Sequence, residues 1–152
     1  LARLNAPTPW SQRTMPILQN FARGGGAVVA RAGLGCGAVA LPLRLDLEAA
    51  GLLGAPAQQA LVQRIAALDA VAQVWLMQVD AAGTGVPTKE KAMRRSVEGV
   101  FDGVLVVEAL HPAAAQAALD QLLQRELANA GVADRQVFSA CFQLDRRLAG
   151  LA

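Results

Sequence analysis

Residues 41–47, LPLRLDL, decide the fold. Leucine stands at positions 41, 43, 45 and 47, with Pro42, Arg44 and Asp46 between. Side chains of a strand point alternately to its two faces, so this pattern predicts a strand with one apolar and one polar face. Just upstream, residues 27–32 (AVVARA) read as a short strand, and Gly33, Gly35 and Gly37 read as a hairpin turn. The leucine strand, residues 39–47, would run back out of that turn. A Gly-x-Gly-x-Gly run can also approach a phosphate, but this one lacks the Lys-Ser/Thr of a P-loop and no helix follows it at once.

Working outward, Thr8-Pro9 is a helix start, since Thr caps and Pro suits the first helical position. Trp10, Met15, Ile17, Leu18 and Phe21 are the apolar positions of that helix. Pro16 should kink or divide it, and Gly24, Gly25 and Gly26 end it. On the other side, Pro56 opens a helix carrying Leu61, Ile65 and Leu68 on one face. Residues 71–79 (VAQVWLMQV) are strand formers. Residues 80–100 make a long connection in which Thr88 caps a short helix, KEKAMRRS. Residues 104–110 (VLVVEAL) form the most apolar strand, as befits a central one. His111-Pro112 begins a helix with Leu119, Leu122, Leu123 and Leu127 toward the core and Gly131 as its C-terminal cap. Residues 136–144 (QVFSACFQL) are the last strand, with Phe138, Ala140, Phe142 and Leu144 on one face.

The totals fit one domain of 152 residues, long enough to bury an ordinary core. No apolar run approaches the length of a membrane-spanning helix. The start has neither an initiator Met nor a leader-like apolar segment, which reads as a trimmed chain or a fragment. Fourteen Lys and Arg against twelve Asp and Glu leave a formal charge of +2, too small to imply a polyanionic partner. The charge is uneven: residues 1–40 hold Arg3, Arg13, Arg23 and Arg31 and no acid. That is either an arm for an acidic neighbour or a set of solvated arginines. Cys36 and Cys141 make no disulfide framework, and the expected location is cytoplasmic.

From residue 39 the order is strand, helix, strand, long link, strand, helix, strand. This is an α+β, ferredoxin-like βαββαβ unit with a four-stranded antiparallel sheet. An N-terminal helix and glycine-rich hairpin over residues 1–38 precede the domain of residues 39–152. Right-handed crossovers put both helices on one side. The strands at Leu41 and Val104 become central neighbours, and those at Val71 and Gln136 become the edges. The leucines then face the helices, while Arg44 and Asp46 face the side that no helix of the unit covers. The N-terminal helix, a second subunit or a ligand should cover it.

The βαββαβ order, the half-polar open face and the small size resemble the dimeric α+β barrel superfamily. Its members include antibiotic-biosynthesis-type monooxygenases and ethyl tert-butyl ether degradation-type proteins. The resemblance spans about residues 39–145, with residues 88–110 (TKEKAMRRSVEGVFDGVLVVEAL) most like a family signature. It implies a homodimer packed sheet to sheet around a pocket for a small organic compound, with no tightly bound cofactor. No catalytic role carries over residue by residue. A second resemblance, to ACT-like sensor domains, rests on residues 43–59 (LRLDLEAAGLLGAPAQQ), where an Asp-containing strand precedes a glycine loop and a helix. The usual Asp-x-Pro-Gly is missing. This resemblance implies a non-catalytic sensor or assembly module with a packed sheet face.

The candidate ligand-binding residues are Arg44, Asp46, Trp75, Arg94, Arg95, Glu108 and His111. Arg44 and Glu108 lie on strands placed side by side, with Asp46 able to join them. They read as a cross-strand ion pair, or as groups that orient a polar substrate while a carboxylate acts as base. His111, the only histidine, is a proton carrier or a helix cap. Lys89, Lys91, Arg94 and Arg95 are a solvated basic turn or a lid for an anionic substrate. One His and two separated Cys give no metal-ligand spacing, so no metal or haem is expected. A nucleic-acid surface of this fold needs aromatics on the central strands, where Arg44, Asp46, Val106 and Glu108 stand instead, so none is expected. No Gly-x-Ser-x-Gly occurs for serine hydrolysis.

Overall fold

A computed structural model describes residues 2–18, 22–94, 101–127 and 142–143. The chain is α+β, built on an antiparallel sheet. Its strands are β1 (Gly26–Gly33), β2 (Val39–Leu45), β3 (Val71–Val79), β4 (Gly103–Ala109) and the two-residue β5 (Phe142–Gln143). They lie in the order β1-β3-β4-β2-β5, every neighbouring pair antiparallel. The helices are α1 (Pro9–Thr14), α2 (Ala55–Ala66), α3 (Ala81–Gly85), α4 (Lys89–Ala92) and α5 (Pro112–Gln121). The four-stranded core of this sheet with its helices is compatible with a ferredoxin-like arrangement.

The alternation of LPLRLDL does what its pattern predicts. Leu41, Leu43 and Leu45 are buried, and Pro42 and Arg44 between them are half-buried. Their partners continue one apolar face: Leu43 lies opposite Leu105, Leu105 opposite Leu76, and Leu76 opposite Ala30. Leu61, Val62 and Ile65 of α2 and Ala114, Ala118 and Leu119 of α5 join these in one core, so both helices cover the leucine face. The strand ends at Leu45, and Leu47 remains buried beyond it, its amide donating to Asp102 Oδ1 at 2.8 Å. Pro42 brings no N–H to a neighbouring strand, and the β2–β5 pairing covers only Val39 and Ala40.

The glycine hairpin is not formed. β1 pairs with β3, from Gly26 opposite Val79 to Gly33 opposite Gln73. It therefore makes the β3 strand internal, where an edge was expected. Residues 34–38 cross the ends of β3 and β4 to reach β2, with those two strands between. Close approach requires glycine at the crossing: a Cβ on Gly37 would meet the backbone of Ala109 and Glu108 at 2.6–2.9 Å. The link is held down by Ala38 N donating to Ala109 O at 2.8 Å and by Gly37 N donating to Glu108 Oε2 at 3.2 Å.

Other local expectations hold. Thr8 Oγ1 accepts from Ser11 N at 3.1 Å, and the helix passes into a 3₁₀ turn, Met15–Ile17, at Pro16. Thr88 caps α4 by accepting from Lys91 N at 3.1 Å. After α5 the chain widens into a π turn, Leu122–Glu126, closed by Leu127 N donating to Leu122 O. The wider turn puts Leu122 and Leu127 inside and leaves Leu123 at 37% exposure, against its expected core position. Phe21, Arg95, Gly131 and most of the expected strand at 136–144, including Cys141, lie outside the described residues.

Candidate functional site

The face of the sheet opposite α2 and α5 is formed by the other parity of each strand. Arg31, Gln73, Trp75, Val106, Glu108, Ala40, Pro42 and Arg44 belong to it by register. On it the structure gathers a polar network at the β4 end nearest the glycine link. Glu108 Oε1 accepts from Gln73 Nε2 at 3.1 Å and from Trp75 Nε1 at 3.2 Å, while its Oε2 accepts from Gly37 N. Gln73 is 5% exposed, and its Oε1 accepts from Arg31, through Nε at 2.9 Å and through a terminal guanidinium nitrogen. Three of the carboxylate's roughly four acceptor positions are thus filled by N–H donors of described residues. The Glu108 carboxylate is held in place without a direct ion pair in this network, and Arg31 acts on it through the Gln73 amide.

The expected pair of Arg44 and Glu108 does not form. The strands are neighbours, but Arg44 lies opposite Val104 and Glu108 lies opposite Ala40. Four residues of offset separate the two by roughly 13 Å along the strands, beyond any salt bridge. Arg44 instead sits over the ring of Phe101, 5.8 Å from its centroid, a cation–π geometry. Asp46 does not join either group: it lies past the strand end, and its Oδ1 accepts from Ala49 N at 2.9 Å in the following turn. His111 is exposed and caps α5, Nδ1 accepting from Ala114 N at 3.2 Å. Arg94 lies in the 80–94 connection near Arg23 and Glu90; burial first, then repulsion from Arg23, pulls its pKa below the ordinary arginine value, with Glu90 opposing.

Of the expected site residues, the structure joins Trp75 and Glu108 in one network; Arg44 stacks on Phe101, Asp46 caps the turn after β2, His111 caps α5, and Arg94 lies near Arg23 and Glu90. Gln73, Arg31 and Gly37 were not anticipated. Gln73 had a legible signal, since it shares strand parity with Trp75 in an apolar strand. Arg31 had none, because its place depends on β1 pairing with β3. Among the described residues no cluster of His, Cys, Asp and Glu could hold a metal ion, and no helix is long and apolar enough to cross a membrane. The protein-family models, the curated proteins and the solved structures give no match to this chain.

Proposed function

We propose that the chain is a ferredoxin-like subunit of a homodimeric α+β barrel whose helix-free sheet faces enclose a site for a small organic compound. The observation that carries this reading is the Glu108 carboxylate on that face, oriented by Trp75, Gln73 and Gly37. A carboxylate so fixed presents its remaining lone pair in one direction. It accepts a hydrogen bond from a bound molecule or takes its proton, and the half-buried Trp75 ring beside it offers an apolar wall.

A second reading has its own support. Val106 and Ala40 lie on the same face at 7% and 8% exposure, and the network satisfies much of its own hydrogen bonding. This favours a non-catalytic sensor or assembly module with a packed face. Thermal shift against a panel of small metabolites separates the two, together with mass photometry. The barrel reading expects a dimer, and a ligand-induced rise in melting temperature that a folded Glu108→Gln variant loses. A clean monomer with a flat panel sinks it.

A further inference from the structure

The N-terminal arm turns two large apolar side chains outward. Trp10 is 64% exposed and Ile17 is 71% exposed. Both lie on one side of the arm. Steps of roughly 100° along α1 and roughly 120° along the following 3₁₀ turn bring Ile17 to within about 40° of Trp10. The exposed Arg13 falls about 60° from Trp10 on the other flank. Ser11 and Met15 fall roughly 100–160° away, and these are the buried and half-buried positions. The arm is seated on α4: Ser11 Oγ donates to Glu90 Oε1 at 2.5 Å, and Asn5 Oδ1 accepts from Lys89 N at 3.1 Å. Contacts on the inner side thus hold Trp10 and Ile17 toward solvent.

The charge around these two side chains is positive. Residues 2–18 carry Arg3 and Arg13 and no acid, and α4 adds Lys89 and Lys91. Arg3, Arg13 and Lys89 are exposed and form no ion pair among the described residues. The neighbouring carboxylates are Glu90, bonded to Ser11, and Asp80, whose Oδ1 accepts from Gly83 N at 3.0 Å. Four bases against two acids leave the group net positive. The cations are spread over a 3₁₀ turn (Arg3–Asn5), α1 and α4. A diffuse set of this kind suits an extended anionic surface better than a single anion. A stable protein interface needs upward of about 1,000 Å² with lysine depleted from its centre. Two apolar side chains among free cations do not meet that. Trp, by contrast, settles at the polar boundary of a bilayer, and apolar insertion combined with basic charge is what holds a protein on a membrane surface.

We propose that the N-terminal arm and α4 lie on an anionic lipid bilayer, with Trp10 and Ile17 entering the headgroup boundary and Arg3, Arg13 and Lys89 meeting the anionic headgroups. The arm rests on the surface and does not span it, since a span needs about 20 apolar residues. No residue of the Glu108 network takes part, so either reading can fail without the other.

Vesicle co-sedimentation of the full chain tests it, with vesicles of equal parts phosphatidylglycerol and phosphatidylcholine against vesicles of phosphatidylcholine alone. The expected result is binding to the anionic vesicles that weakens in high salt and is at least about tenfold weaker on the neutral ones. Arg3→Gln with Arg13→Gln should lower the partition coefficient about 25-fold, about fivefold for each cation. Trp10→Ser with Ile17→Ser should lower it by at least about tenfold, and both positions are exposed enough to keep the fold. Tryptophan emission should shift to the blue on the anionic vesicles, and Trp10→Phe should lose that shift. If circular dichroism shows the serine variant unfolded, the arginine variant and the Trp10→Phe emission carry the test. Absence of binding to the anionic vesicles overturns the proposal, as does equal binding to the neutral ones or wild-type binding by the folded serine variant. A wild-type dimer that the serine variant converts to a monomer in mass photometry, with no vesicle binding, overturns it in favour of a second copy on this face.

Discussion

The substitution Gly37→Ala probes the central departure from a simple hairpin. In a hairpin turn a methyl group at Gly37 would point into solvent. In the observed crossing it would lie 2.6 Å from Ala109 N, 2.7 Å from Ala109 O and 2.9 Å from Glu108 C. Ordinary carbon contacts lie near 3.5–4.0 Å, so a shift approaching 1 Å is needed. All three obstructing atoms are backbone of the internal strand β4, which cannot rotate away as a side chain would. The link must lift, lengthening the bonds Gly37 N to Glu108 Oε2 and Ala38 N to Ala109 O. Overpacking of this kind costs about 1–3 kcal/mol, and weakening one of the bonds adds about 1 kcal/mol. A loss of about 2–4 kcal/mol follows, or a fall in Tm of roughly 4–16 °C at this chain length. Urea unfolding followed by tryptophan fluorescence measures it, with Gly25→Ala as the control expected within about 0.5 kcal/mol. Stability of Gly37→Ala within that same margin of wild type would refute the crossing.

Glu108→Ala should cost about 2–4 kcal/mol, because Gln73 Nε2, Trp75 Nε1 and Gly37 N lose a shared acceptor; the Trp75 emission, read in a Trp10→Phe background, should shift as well. Leu105→Ala, at a side chain with no exposed surface between β2 and β3, should cost about 2–5 kcal/mol by chemical denaturation. Ala70 holds a left-handed φ of 57° at the turn into β3, so Ala70→Gly should raise stability by up to about 1 kcal/mol, and a loss would show that its methyl packing outweighs the strain. Arg64 donates bidentately to Glu126, but Arg64 is half-exposed; Arg64→Ala should cost at most about 1 kcal/mol and the difference should shrink in high salt.

By itself the sequence determined what is local and periodic. The parity of residues 41–47 set which side of β2 is buried, because a strand offers its side chains only two directions. The Thr8 and Thr88 caps, and the start of α5 at His111-Pro112, were legible because each needs only residues within three or four positions of one another. On that basis Trp75 and Glu108 could be assigned to the face opposite α2 and α5. Tertiary structure decided everything that depends on which strands pair and in what register. An alternating pattern fixes a face but not a neighbour, so the reading of AVVARA as half of a hairpin with the leucine strand gives way to its pairing with β3. The same gap placed Arg44 next to Glu108: adjacency was legible, but the four-residue offset that parts them is set by the pairing of Leu43 with Leu105. Once β1 lies on β3, Arg31 reaches Gln73 and the glycine link crosses over Glu108, so the network exists only through contacts between residues up to 71 positions apart.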